Sequence, residues 1–397
     1  MNQPVSRQSQ LLVGSTAPLF RYYGGPLYQQ NAGRPGICDF AFGNPHDMPI
    51  AGLSEALARA AVPRNKDWFA YKTSEPESRA RVAQSLTTRD GLDYQTDDVF
   101  MTNGAFGGLC AVLDAVVDPG DEVIFNVPPW FFYEPMILDR QAVPIRVRVK
   151  ETTWDLDLEA IARAIGPRTR AIIVNSPHNP TGRIYPPDML RELGRLLETR
   201  SRAQGRPIYL LSDEAYSRIV FSGQRFESPA LHYAHTIVLY TYGKTLLAPG
   251  ERMGYVAFPP TMPQASREAL RPALQVCQMV NGWAFPGSVL QHAFAEIDGL
   301  SIEVGRVERR RDRLVTALRG FGYEVQEPQG TFYLLPRSPT PDDWAFCERL
   351  AEKNVLAMPG EVLELPGYFR LSLTANDDMV ERALPGLAAA HAEARAG

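Results

Sequence analysis

At 397 residues, 45% hydrophobic and 22% charged, the chain has the composition of a globular protein long enough for a sizeable core and a second, smaller domain. A formal net charge of −4 gives no general attraction for nucleic acid or an anionic membrane, and no apolar run reaches membrane-spanning length. The four cysteines, Cys38, Cys110, Cys277 and Cys347, lie far apart and read as reduced core cysteines of a cytoplasmic protein, with neither a disulfide framework nor zinc-ligand spacing.

Residues 1–36 are rich in Gly, Pro, Gln and Asn and read as an irregular N-terminal arm, either disordered or ordered against a partner subunit. A short strand is predicted over 37–42, ending in the turn Gly43-Asn44-Pro45. Helices follow over 53–61 and 77–86, on either side of the aromatic cluster Trp68-Phe69-Ala70-Tyr71. From about residue 98 short apolar strands alternate with helices. Strands are predicted over 99–102, 122–126, 143–149, 171–175, 208–212, 236–240 and 253–258, with helices over 106–117, 131–140, 158–165 and 187–202 between them. Near-continuous apolar strands in this alternation argue for a mostly parallel sheet covered on both faces. From about 285 the grammar becomes α+β. One long helical region is predicted over 288–318, then strands over 322–325, 331–335, 355–358 and 369–373, and helices over 342–353 and 377–394.

In a parallel sheet the chemistry gathers beyond the carboxyl ends of the strands, and the polar motifs stand there. Gly104-Ala105-Phe106 opens a helix after a strand, which suits a phosphate because free N–H groups and the helix dipole both favour an anion. Asn175 to Gly182 is a turn-rich loop after a strand. Asp213 ends another strand. Lys244 follows the apolar run 236–240, where an amine is costly unless paired or neutral, and where it is a candidate Schiff-base nucleophile. Arg370 puts a charge in an apolar strand, which calls for a buried ion pair or an anion held by the guanidinium fork. A buried amine, a strand-end acid, a phosphate cradle with its own arginine and a separate arginine site together answer the needs of pyridoxal 5′-phosphate (PLP).

With these motifs in this order the chain resembles the fold-type I PLP-dependent aminotransferases of class I/II, the aspartate-aminotransferase-like group. The resemblance runs from about Asp39 to the C-terminal helix, through Gly43-Asn44-Pro45, Asn103-Gly104-Ala105, Asn179-Pro180-Thr181-Gly182, Asp213-x-x-Tyr216, Thr241-x-x-Lys244, Arg252 and Arg370. It implies that Lys244 binds the cofactor covalently and moves the proton, that Asp213 pairs with the pyridinium nitrogen, and that Asn179 and Tyr216 bond the phenolate oxygen. It implies that Gly104, Ala105, Phe106, Thr241 and Arg252 hold the phosphate, that Trp130 stacks on the ring, and that Arg370 and the backbone at Gly43 take the substrate α-carboxylate. Tyr71 would reach the phosphate of a partner subunit, making the protein a homodimer with shared sites.

The implied fold is α/β, with a seven-stranded, mostly parallel sheet in a three-layer PLP-binding domain (61–284), a small α+β domain (37–60 and 285–397) and the arm (1–36). The chain departs from the family at Gly243, where Ser or Ala is usual, after Tyr71, where a glycine is missing, and at Val362-Leu363, where an aromatic is usual. The implied reaction moves an amino group between an α-amino acid and a 2-oxo acid, with a β-lyase, cyclase or oxidative deaminase as the alternative on the same motifs. No arginine for a distal substrate carboxylate is identifiable from motif context. Tyr22, Tyr23, Trp130, Phe131 and Tyr133 form either an aromatic wall or plain packing. Arg21, on the arm, either closes over a substrate carboxylate or faces solvent.

Overall fold

The computed structural model describes residues 4–396. The arm is helical, in contrast to the irregular segment expected from its composition: α1 (Arg7–Ser15), α2 (Ala17–Gly24) and α3 (Pro26–Gln29). Local signals explain the difference. Ser6 caps α1, its hydroxyl accepting from the Ser9 N–H at 3.0 Å. Prolines stand in the first turns of α2 and α3, where a missing N–H is harmless. Packing completes the ordering. Leu19, Tyr22 and Leu27 are buried, and the Tyr22 hydroxyl donates to the Ala357 carbonyl at 2.9 Å.

After the two-residue strand β1 (Cys38–Asp39), shorter than expected, come α4 (Ala51–Ala60) and α5 (Pro76–Asp90). The alternating region then runs β2 (Val99–Thr102), α6 (Gly104–Val116), β3 (Glu122–Val127), α7 (Tyr133–Asp139), β4 (Val143–Arg148) and α8 (Leu158–Ala164). It continues through β5 (Thr169–Asn175), α9 (Pro187–Gln204), β6 (Tyr209–Asp213), β7 (Thr236–Thr241), α10 (Tyr242–Thr245) and β8 (Gly254–Ala257). Strands β2 to β8 form one seven-stranded sheet in the order β2-β8-β7-β6-β5-β3-β4, in which only β8 runs antiparallel to its neighbours. Helices cover both faces, which is why the strands are continuous apolar runs. Leu109, Val112 and Leu113 of α6 pack with Phe125 and Leu211 on one face. Leu190, Leu193 and Leu197 of α9 pack with Ile124 and Leu210 on the other.

Helix α11 (Gln264–Val280) leads to the region predicted as one long helix, which is three: α12 (Ser288–His292), α13 (Phe294–Ile297) and α14 (Val304–Phe321). The interruption follows Asp298, whose carbonyl accepts from Arg218 at 2.7 Å and whose carboxylate accepts from Tyr242 at 2.7 Å and Arg81 at 3.0 Å. Those bonds hold Asp298 against the large sheet and take the chain off the helix axis. Gly322, at φ +100°, ends α14, and residues 323–325 join no ladder, so the strand expected there is absent. The remaining elements are β9 (Tyr333–Leu334), α15 (Asp343–Glu352), β10 (Val355–Leu356), β11 (Met358–Pro359), β12 (Phe369–Ser372) and α16 (Asp377–Ala396). β12 lies between β11 and β9, antiparallel to both, and β10 pairs in parallel with β1. The Ser372 N–H also bonds the Phe40 carbonyl at 2.9 Å, which carries residue 43 alongside residue 370. Among the described residues no helix is long and apolar enough to cross a membrane.

Candidate active site

The parallel strands β2, β3, β5, β6 and β7 end on the same edge, and their C-terminal turns wall a cavity of about 220 Å³. Ala105 and Phe106 come from the first turn of α6 after β2, Trp130 from the turn after β3, and Asn179 from that after β5. Asp213 and Tyr216 come from β6 and the turn after it, and Thr241 and Lys244 from β7 and α10. Arg252 completes the lining.

One end of the cavity is an anion cradle. The N-terminus of α6 opens on Gly104 at φ +69°, a left-handed conformation that favours glycine. A Cβ there would stand 2.8 Å from Arg252 Nη2 and 3.2 Å from Thr241 Oγ1, so the missing side chain lets cation, hydroxyl and helix N-terminus converge. Arg252 is exposed and donates to the carbonyls of Pro249 at 2.7 Å and Asn103 at 3.3 Å. Among the described residues no acid pairs with it.

The other end holds a buried acid. Burial pushes the Asp213 carboxyl above the usual range, opposed by a hydrogen bond from the Tyr133 hydroxyl at 2.5 Å, one from the Ala215 N–H at 3.2 Å, and the charge of Lys244. Asn175 ties this end together, donating to the Asp213 carbonyl at 2.9 Å and accepting from the Asn179 N–H at 2.7 Å. The sequence singles out Tyr133 only as one ring of a possible aromatic wall and Asn175 only as the start of a turn-rich loop, and gives neither a role beside Asp213. Asn175 carries a legible signal, since it is the first polar residue after the apolar run of β5.

Lys244 stands between the two ends, its Nζ 5.6 Å from the ring centre of Tyr216 and 5.7 Å from that of Phe332. It also lines an adjoining cavity of about 440 Å³, and Trp130 and Asn179 border both spaces. The second cavity contains Gly43, Tyr333 and Arg370. Arg370 is 2% exposed and has no acid partner among the described residues. Its Nη2 donates to the Ala41 carbonyl at 3.0 Å and its Nη1 to Asn179 Oδ1 at 3.4 Å, and its guanidinium lies 4.2 Å from the Tyr333 ring centre. Its Nε is buried without a partner. The expected buried ion pair therefore has no acid among the described residues. A Cβ at Gly43 would lie 2.6 Å from the Tyr333 hydroxyl and 2.8 Å from Phe332, so the backbone passes these rings only as glycine. Burial pushes the Tyr333 phenol up, but Lys244 and Arg370 outweigh it and bring it below its ordinary range. Its neighbour Tyr216 is pushed well above by burial and by Tyr333. Tyr333 is illegible in sequence because Thr331 to Leu335 reads as a plain core strand.

Other candidates lie elsewhere. Tyr71 is 90% exposed, stacks edge-on against Trp283 at 5.4 Å and lines neither cavity of its own chain. Of the five aromatics considered as a wall, Tyr23, Trp130 and Phe131 line the second cavity, whereas Tyr22 is core and Tyr133 serves Asp213. Arg21 lies 3.9 Å over the Trp344 ring and 3.8 Å from Glu361, and lines neither cavity.

The family model described as aminotransferase class I and II matches residues 35–387. A probable aspartate/prephenate aminotransferase of Thermus aquaticus is 31% identical over 381 residues, covering 95% of each chain. The crystal structure of an aminotransferase from Eubacterium rectale is similar with a TM-score of 0.90 over 99% of both chains, at 27% identity. That of an aspartate aminotransferase from Thermus thermophilus with maleate gives 0.82 over 98% of this chain and 100% of that one, at 27% identity.

Proposed function

The chain belongs to the aminotransferases of class I and II and transfers amino groups, and we propose that its first cavity holds pyridoxal 5′-phosphate while its second holds the amino acid or 2-oxo acid. One observation carries the reading: Lys244, an amine that no acid pairs among the described residues, lines both cavities. A single group can thus anchor the cofactor and serve the substrate.

The residues fit the cofactor at each end. The α6 N-terminus, Thr241 and Arg252 suit a phosphate dianion. Asp213, buried yet kept toward its ionised form by Tyr133, Ala215 and Lys244, suits a protonated ring nitrogen. When bound, PLP draws electrons from the bonds at the substrate's Cα into its ring. The chain supplies the rest. Trp130 would cover the ring face, and Asn179 and Tyr216 would donate to the phenolate oxygen. Arg370, with the backbone at Gly43, grips the α-carboxylate and thereby orients the Cα–H bond. Lys244 Nζ would take that proton and return it two atoms along, as general base and then general acid. The neutral phenol of Tyr216 remains a donor because its pKa is high.

The same reading divides the chain into a large PLP-binding domain over 61–284, a small domain over 37–60 and 285–397, and the arm. It pairs two copies as a cytoplasmic homodimer, with Tyr71 of each serving the phosphate of the other. Exposed apolar side chains support that pairing: Val62, Phe69, Tyr71, Val276, Val280 and Trp283 face solvent on the single chain. Borohydride reduction followed by peptide mass analysis tests the central assignment. A reduced cofactor adduct is expected on the peptide containing Lys244, and an adduct on another lysine overturns it.

A further inference from the structure

The second cavity is walled on its far side by the arm. Helix α2 contributes Leu19, Phe20 and Tyr23, and α3 contributes Tyr28, opposite Phe42 and Phe131. Tyr23, Tyr28 and Phe42 form a cluster with ring centres 5.2–6.0 Å apart. Phe20 and Tyr23 remain 55% and 50% exposed although Leu19 and Tyr22 of the same helix are buried. Phe20 and Tyr23 thus stand half exposed on an otherwise anchored helix and both line a cavity with Arg370 on its wall, Tyr23 held there by its contacts with Tyr28 and Phe42.

Charge narrows the choice of occupant. The cavity lining includes two cations, Lys244 and Arg370, and the proposed function uses both. Among the described residues of this chain no third cation lines it. Apart from the neutral amides of Asn44 and Asn179, the side chains left to meet a distal carboxylate are mostly aromatic rings, which give that charge no ionic partner. An aromatic side chain instead gains offset and edge-on ring contacts and buries apolar area.

We propose that α2 is a specificity element, and that Phe20 and Tyr23 select amino acids with a large aromatic side chain over dicarboxylic ones. This rests on the proposed placement of the substrate at Arg370.

The holoenzyme is mixed in turn with phenylalanine, tyrosine, tryptophan, alanine and aspartate, and the change in the absorbance of its bound cofactor is followed. Expected is a kcat/KM for at least one aromatic substrate about a hundredfold or more above that for aspartate. In Phe20→Ala and Tyr23→Ala the ratio of kcat/KM for that substrate to kcat/KM for alanine should fall about tenfold. Both positions are half exposed, so folding is retained. Turnover of aspartate equal to or above that of the aromatic amino acids overturns the proposal, as does an unchanged ratio in both variants. In either case amino transfer itself still stands. Absence of any spectral change with every amino acid, in protein that retains its cofactor, overturns the proposal together with the substrate placement on which it rests.

Discussion

The Tyr133 hydroxyl donates to Asp213 Oδ2 at 2.5 Å, inside the protein and away from solvent. The bond opposes the burial that raises the Asp213 pKa and fixes the carboxylate that lines the first cavity. Tyr133→Phe removes the donor and keeps the ring. A hydrogen bond to a charged group contributes about 1.5–3 kcal/mol, so kcat should fall roughly ten- to hundredfold. With its donor gone the carboxyl binds its proton more tightly, so the acid limb of the kcat–pH profile should move to higher pH. An unchanged profile would show that Asp213 is held by other groups.

The same acid sets a pH dependence of stability in the apoprotein. Its folded pKa lies above the ordinary carboxylate value, so between the two values the folded state binds more protons than the unfolded one. Stability contributed by Asp213 is therefore full below the ordinary carboxylate pKa and declines as pH rises through the raised one. Asp213→Asn should remove that decline, and the apo variant should melt above wild type at neutral pH while losing most activity. Thermal melts across pH 3–7, the range about the ordinary carboxylate value, check this. Parallel melting curves for the two proteins would sink it.

Arg370→Lys keeps the charge and loses the fork. The Nε that lacks a partner is part of that fork, so the change should raise KM for every amino acid and lower kcat/KM about a hundredfold, the scale of a buried charge pair deprived of its geometry. Steady-state kinetics with two substrates of different side chain check it. Loss confined to one substrate would place Arg370 at the side chain rather than at the shared α-carboxylate.

Gly43→Ala would press a methyl against the Tyr333 hydroxyl and Phe332, both buried. Overpacking of this kind costs about 1–3 kcal/mol, to be read as a lower melting temperature. Because the displaced ring stacks on Arg370, KM should rise as well. A melting temperature and KM both equal to wild type would mean that the rings move aside freely.

Much of this site is legible because each motif stands where an apolar strand ends. Asn179, Asp213 and Lys244 follow β5, β6 and β7 so closely that a parallel sheet must bring them to one edge. What is illegible depends on distant partners. The groups that meet Arg370, the Ala41 carbonyl and the Asn179 amide, lie 329 and 191 positions away. Which ring of Trp130-Phe131-Phe132-Tyr133 turns inward depends on where α7 begins. The helices of the arm are stabilised by burial against Ala357 and its surroundings, and composition alone registers only their glycines and prolines.

Tyr71 offers a test that separates a shared site from a self-contained one. On its own chain it stands 90% exposed and away from the cavity. If it completes the phosphate site of a second copy, Tyr71→Ala and Lys244→Ala fail for different reasons on different chains. Lys244→Ala alone should lose activity on the order of 10³-fold or more, from the middle of the range for removal of a general acid–base group upward. Tyr71→Ala should bind the cofactor more weakly. Mixing the two variants under conditions that exchange subunits forms hybrids in which one site has the lysine of one chain and the tyrosine of the other. Random pairing makes half the dimers hybrids, each with one intact site of two, so roughly a quarter of wild-type activity should return. Activity that stays at the sum of the separate variants, with exchange verified by mass, would confine each site to a single chain.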